Sequence, residues 1–155
     1  MTAQGSEQNR RRLLPPRGLQ LSLIAQVPGI VISWPLHPPG WAVAIAATFV
    51  LCAAYLNVAA ARQFVRHGVG IVPFSNSPEL MRGGPFRLSR NPMYLGLVMF
   101  SSAAAIGTGV WANLWAPAIY AMWLHLSFVL PEEAFLRKHF GDAFDEYARK
   151  IPRWI

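Results

Sequence analysis

Apolar residues run along this chain in four long blocks, parted in turn by uncharged turns and by basic loops. The first block, Leu19 to Leu36, is interrupted by Gln26, Pro28 and Gly29, which predicts a kinked membrane-crossing segment. The second, Trp41 to Ala61, holds about twenty residues, enough to cross a ~30 Å hydrocarbon core as a helix. The third begins at Pro92 and fades near Gly107-Thr108-Gly109, and the fourth follows the Gly109–Asn113 turn and ends at Leu130. Ser101 to Ala105, with Gly107 and Gly109, gives the third block a face of small residues suited to close helix packing. Residues 37–40 and 107–113 carry no Lys or Arg, and Trp34, Trp41, Trp111 and Trp115 flank them as in an aromatic belt.

After Leu130 the period changes. Leu136, Phe140, Phe144, Tyr147 and Ile151 recur at spacings of three or four, while Arg137, Lys138, Asp142, Asp145, Glu146, Arg149 and Lys150 fall between them. That pattern predicts an amphipathic helix on the membrane surface, with Gly141 a weak point or bend within it. Pro131 either ends the fourth block or opens this helix. The predicted fold is an all-α membrane protein of about four transmembrane helices plus a C-terminal amphipathic interfacial helix.

Composition agrees with a membrane protein of one domain, residues 1–155: 54% of residues are hydrophobic, 14% are charged, and the mean hydropathy is +0.30. A net charge of +7 raises the question of nucleic acid. The basic residues answer it, because they sit in the loops 1–18, 62–91 and 131–155 rather than on a soluble scaffold. Under the positive-inside rule both termini and the long loop face the cytoplasm of a multi-pass protein, in the cell membrane or bacterial inner membrane. Residues 1–18 read as a disordered cytoplasmic lead-in. The single cysteine, Cys52, excludes an internal disulfide, and four scattered histidines give no metal-ligand spacing. Residues 62–91 are too long and too rich in Gly and Pro for a plain connector, so they read as a binding loop.

The candidate chemistry gathers where that loop enters the third block, in Gly84-Pro85-Phe86-Arg87-Leu88-Ser89-Arg90-Asn91-Pro92-Met93-Tyr94-Leu95-Gly96. Asn91 is placed to cap the helix with its side-chain oxygen, and Pro92 suits the first helical position. The positive end of the helix, with Arg87 and Arg90 outside it, offers a place for an anionic group. Glu132 and Glu133 fall at the same membrane boundary. Together these groups suit a zwitterion, its ammonium or hydroxyls on the carboxylates; the plainer alternative is that acidic residues favour a helix start. Candidate catalytic residues are His125, inside the fourth block, together with Glu133 and Arg90. There is no Ser-His-Asp arrangement and no phosphate-binding loop.

Two motifs, Gly84-Pro85-Phe86 with Arg90-Asn91-Pro92-Met93-Tyr94-Leu95-Gly96, and Pro131-Glu132-Glu133 with Phe140-Gly141, Tyr147 and Pro152-Arg153, occur in this order with one block between them. The chain resembles, over residues 78–154, the isoprenylcysteine carboxyl methyltransferase and phospholipid methyltransferase superfamily. Phe144 departs from it mildly, standing where the family often has a tyrosine. The resemblance implies S-adenosyl-L-methionine as methyl donor, bound at the cytoplasmic face under the long loop. By position it implies cofactor contacts at Glu79, Leu80, Met81, Phe86, Asn91, Pro92, Met93, Tyr94 and Glu132, with Glu133 beside them. It implies a lipophilic small molecule, a lipid or a prenylated compound as acceptor, with the bilayer as partner and no metal. The family's prenylcysteine enzymes place an arginine one turn before the Glu pair. This chain has Phe128 there, which tells against a free prenylcysteine. Two other readings remain open on the residues: an NADPH-dependent membrane reductase of the sterol-reductase type, and a non-enzymatic membrane partner protein.

Overall fold

A computed structural model of the chain describes residues 15–68 and 79–155. Among these residues the fold is all helical, with no strand. The helices are α1 (Pro15–Ile24), α2 (Val27–Ile32), α3 (Gly40–Arg66), α4 (Pro92–Gly107), α5 (Trp115–Leu124), α6 (Leu130–Phe140) and α7 (Asp142–Lys150). Short 3₁₀ turns cover Gly84–Arg87 and Trp111–Leu114, and a π turn covers His125–Val129. Of the lead-in predicted over 1–18, residues 15–18 instead form the start of α1, with Pro15 and Gly18 buried; the rest, with Arg10 to Arg12, and the loop stretch 69–78 lie outside the described residues.

Two helices are long and apolar enough to cross a membrane: α3, and the continuous helical run from Trp111 through α5 to the end of α6 at Phe140. The 27 residues of α3 span roughly 40 Å, more than a ~30 Å hydrocarbon core requires. Gly68, at φ +64°, ends it: the amides of His67 and Gly68 turn back onto the carbonyls of Gln63 and Val65. The shorter apolar helix α4 has 16 residues, roughly 24 Å. The first apolar block is broken at Ala25 and Gln26 into α1 and α2, where the interrupting residues predicted a kink.

Small residues let α3 and α4 approach closely. A side chain at Gly96 would collide with the Asn57 amide and lie 3.1 Å from the Ala53 carbonyl, and one at Gly107 would press on Ala46. Ser101, Ala103 and Ala105 are buried on the same helix. Backbones that close gain dispersion contacts, the main attraction left between helices once lipid surrounds them. The first block is tied in by polar groups. Ser22 and Ser101 share a 2.7 Å hydrogen bond, and the Gln26 amide donates to the carbonyls of Ser22 and Ser101. The Tyr120 hydroxyl donates to the Pro15 carbonyl at 2.6 Å.

The two uncharged turns lie together at one end of the bundle. Trp41 and Trp111 stack with ring centroids 5.6 Å apart, and Gly109 approaches Pro38.

Pro131 neither ends the fourth block nor starts an independent helix, because the helix continues through it. A proline at 131 displaces the carbonyl four residues earlier, that of Ser127. Ser127 lies inside the π turn, whose wider spacing accommodates the loss. The predicted single amphipathic helix divides at Gly141, where φ is +52°. Its apolar face turns inward: Phe144 and Tyr147 are buried, and Tyr147 donates its hydroxyl to the Phe86 carbonyl at 2.7 Å. Burial pushes the Tyr147 hydroxyl up to about pKa 12, so it keeps that proton. Tyr147 is tied to the 84–87 turn and Phe144 lies against the Arg90 and Arg137 guanidiniums, so these two side chains are not free to enter the bilayer.

Candidate functional site

Pro92 occupies the first turn of α4, as its fixed φ favours. Asn91 stands at the N-cap but does not cap the helix with its side chain. Its amide instead donates to the Arg153 carbonyl at 3.1 Å, and its own N–H goes to the Ser89 hydroxyl at 3.1 Å. The expectation of an Asn91 cap is therefore corrected. The Arg153 carbonyl, sixty-two residues along the chain, holds that side chain by its amide N–H.

The two adjacent carboxylates have different surroundings. Glu133 is 4% exposed and accepts from the Arg153 guanidinium three times, at 2.8 to 3.1 Å. Arg90 Nη2 lies 3.2 Å from Glu133 Oε1, an oxygen that also accepts from Arg153 Nε. Two cations therefore flank one carboxylate, and hydrogen bonding to Glu133 raises the Arg153 pKa further. Glu132 accepts a 2.8 Å hydrogen bond from the Tyr94 hydroxyl. Among the described residues no Lys or Arg pairs with it. Glu132 thus presents a carboxyl group whose side-chain bond among the described residues is to a neutral hydroxyl, that of Tyr94.

Arg90 does not reach outward for an anion. Its guanidinium turns in toward Glu133 and over the Phe144 ring at 5.9 Å, while its buried Nε has no partner among the described residues. Arg87 is exposed.

His125 lies in the π turn, where its Nδ1 accepts from the Trp154 indole at 3.3 Å. Indole nitrogen only donates, so the neutral ring carries its proton on Nε2. While that bond holds, Nδ1 is not free to take a proton from a substrate. Phe128 is buried between Tyr94 and Trp123, with centroids 6.2 and 5.2 Å away.

Glu79, Leu80 and Met81 line a pocket of ≈ 580 Å³ with Gln63, His67 and Phe140. Met81 also packs with Ala60 and Phe86, and Phe64 and Met93 close that cluster. The residue after Met93 is Tyr94, so the first turn of α4 joins the pocket wall to Glu132. Phe86 and Met93 pack with Met81 in the loop group, and Asn91, Tyr94, Glu132 and Glu133 form another, whose carboxylates do not line the pocket. Sequence reasoning missed Arg153. The Pro152-Arg153 ending was visible in the chain, but nothing local pointed across twenty residues to Glu133.

The family model for phospholipid methyltransferases matches residues 41–143, about two thirds of the chain. The chain belongs to the phospholipid methyltransferase family, within the integral membrane methyltransferase superfamily. Every candidate site residue from Glu79 to Glu133 falls inside the match, which gives no support to a sterol-type reductase. With its apolar helices, membership marks the chain as a membrane protein of a methyltransferase family. No curated protein and no solved structure matches the chain significantly.

Proposed function

We propose that this protein transfers a methyl group from S-adenosylmethionine to a lipophilic acceptor at the cytoplasmic face of the membrane. The observation that carries the reading is Glu132, a carboxyl group with no cationic partner among the described residues, late in the Trp111–Phe140 run of a methyltransferase-family chain and bonded to Tyr94 in the first turn of α4. The residues suit the donor. Glu132 matches its ammonium, and Phe86, Met81 and Met93 offer apolar surface. A pocket of ≈ 580 Å³ is within the usual range for small-molecule sites. The donor supplies an electrophilic methyl group on a sulfonium, so the protein needs to hold the acceptor in line and exclude water. Glu133 serves the two arginines rather than the ligand. A carboxylate or a neutral amine attacks without a protein base, whereas a hydroxyl needs one; His125 meets that need only by releasing Trp154.

In this reading the bundle crosses the bilayer four times, by α1–α2, α3, α4 and the Trp111–Phe140 run. The basic segments and both termini are cytoplasmic, opposite the two uncharged turns. A Val65→Cys variant in a Cys52→Ala background checks this, since Val65 is 70% exposed. In intact cells an impermeant maleimide should label it only after the membrane is opened; labelling from outside reverses the topology. Phe128 makes an apolar wall where an anchoring cation would stand, and a buried carboxylate without a partner is costly. The acceptor is therefore a lipid head group or small lipophile rather than a free prenylcysteine.

Titration of the purified protein with S-adenosylmethionine and with NADPH tests the reading. Saturable binding of the first and none of the second is expected. Binding of NADPH alone would replace the methyltransferase by a reductase, and binding of neither would favour a non-enzymatic membrane partner.

A further inference from the structure

The residues Pro152-Arg153-Trp154 hold several parts of the molecule at once. The Pro152 carbonyl accepts the Arg90 N–H at 3.0 Å, and the Arg153 carbonyl accepts from Ser89 and Asn91 at 3.2 and 3.1 Å. The Arg153 guanidinium forks onto Glu133, and the Trp154 indole donates to His125. These contacts fall on the residues just before Tyr94 and on the carboxylate beside Glu132. Arg153 itself lies beyond the matched stretch 41–143.

We propose that Arg153 is a positioning residue of the donor site, an inference that rests on the donor reading above. Its planar fork fixes Glu133, so that of two neighbouring carboxylates only Glu132 meets the ligand. Its carbonyl fixes Asn91, so that the first turn of α4 keeps the Tyr94 hydroxyl on Glu132. The simpler alternative is that the chain end is only anchored here. Trp154 separates the two, because it anchors the same segment at His125 without touching Glu133.

The test compares the full-length protein with Arg153→Ala, Arg153→Lys and Trp154→Phe in lipid nanodiscs, using S-adenosylmethionine as probe. Arg153→Ala should raise the donor Kd at least tenfold and raise the donor KM, with kcat changed less than threefold. Arg153→Lys, which keeps the charge but not the fork, should fall between. Trp154→Phe should stay within twofold of the parent. A Kd within twofold for Arg153→Ala, or equal losses for Arg153→Ala and Trp154→Phe, would overturn the proposal. Hydrogen exchange gives a readout independent of the donor: the Arg90 amide should exchange faster in Arg153→Ala. Unchanged exchange there also overturns the proposal. A parent protein that binds no donor overturns the donor reading, and the exchange result still decides whether Arg153 holds the start of α4.

Discussion

Glu132→Gln is expected to weaken S-adenosylmethionine binding by roughly 10- to 150-fold while leaving the protein folded. The magnitude follows from losing one charge-assisted hydrogen bond, about 1.5–3 kcal/mol. The fold should survive because the partner of Glu132 is the Tyr94 hydroxyl, and a glutamine oxygen accepts that bond equally well. Calorimetry with a melting curve on the same sample reads both quantities. Unchanged affinity would reduce the carboxylate to a helix-end charge.

One residue along, Glu133→Ala should do the reverse and attack stability first. It removes the acceptor of three Arg153 hydrogen bonds and the counterion of Arg90, whose side chain is 11% exposed. Breaking one side of a buried pair costs roughly 3–5 kcal/mol, because the remaining charge stays buried without a partner. Arg153 is 38% exposed and recovers some hydration, so the lower part of that range applies. At ~2–4 °C per kcal/mol, the midpoint should fall by about 6–12 °C. A double change, Glu133→Leu with Arg90→Met, should recover part of the loss, since it leaves no buried charge at either position. A midpoint for Glu133→Ala within 2 °C of the parent would mean that water already reaches the pair, with about 1 kcal/mol or less at stake.

Much of this molecule is written locally. Runs of apolar residues, the Pro92 helix start, the small residues of α4 and the breaks near Gln26 and Gly141 all act within a few residues of themselves. Each was legible from spacing and residue type. What was not legible depends on distant groups. Asn91 has the chemistry of a cap, yet its side-chain amide is held by the distant Arg153 carbonyl and its oxygen does not cap α4. Phe144 and Tyr147 have the period of a surface helix, but the 84–87 turn offers Tyr147 a carbonyl that lipid does not. Pro131 reads as a stop or as a new start until the π turn before it removes the clash. The division of labour between Glu132 and Glu133 was likewise hidden, because it is set by Tyr94, Arg90 and Arg153 rather than by the pair itself.

The most direct measurement is transfer of a radiolabelled methyl group from S-adenosylmethionine into lipid-extractable material. Membranes carrying the protein are compared with membranes carrying Glu132→Gln, with aminophospholipid, small lipophilic and prenylcysteine acceptors supplied in separate arms. Label is expected in the aminophospholipid or small-lipophile arm, lost in Glu132→Gln, with little in the prenylcysteine arm. Label that is equal with and without the protein in every arm, or equal for the parent and Glu132→Gln, would contradict the proposed methyl transfer.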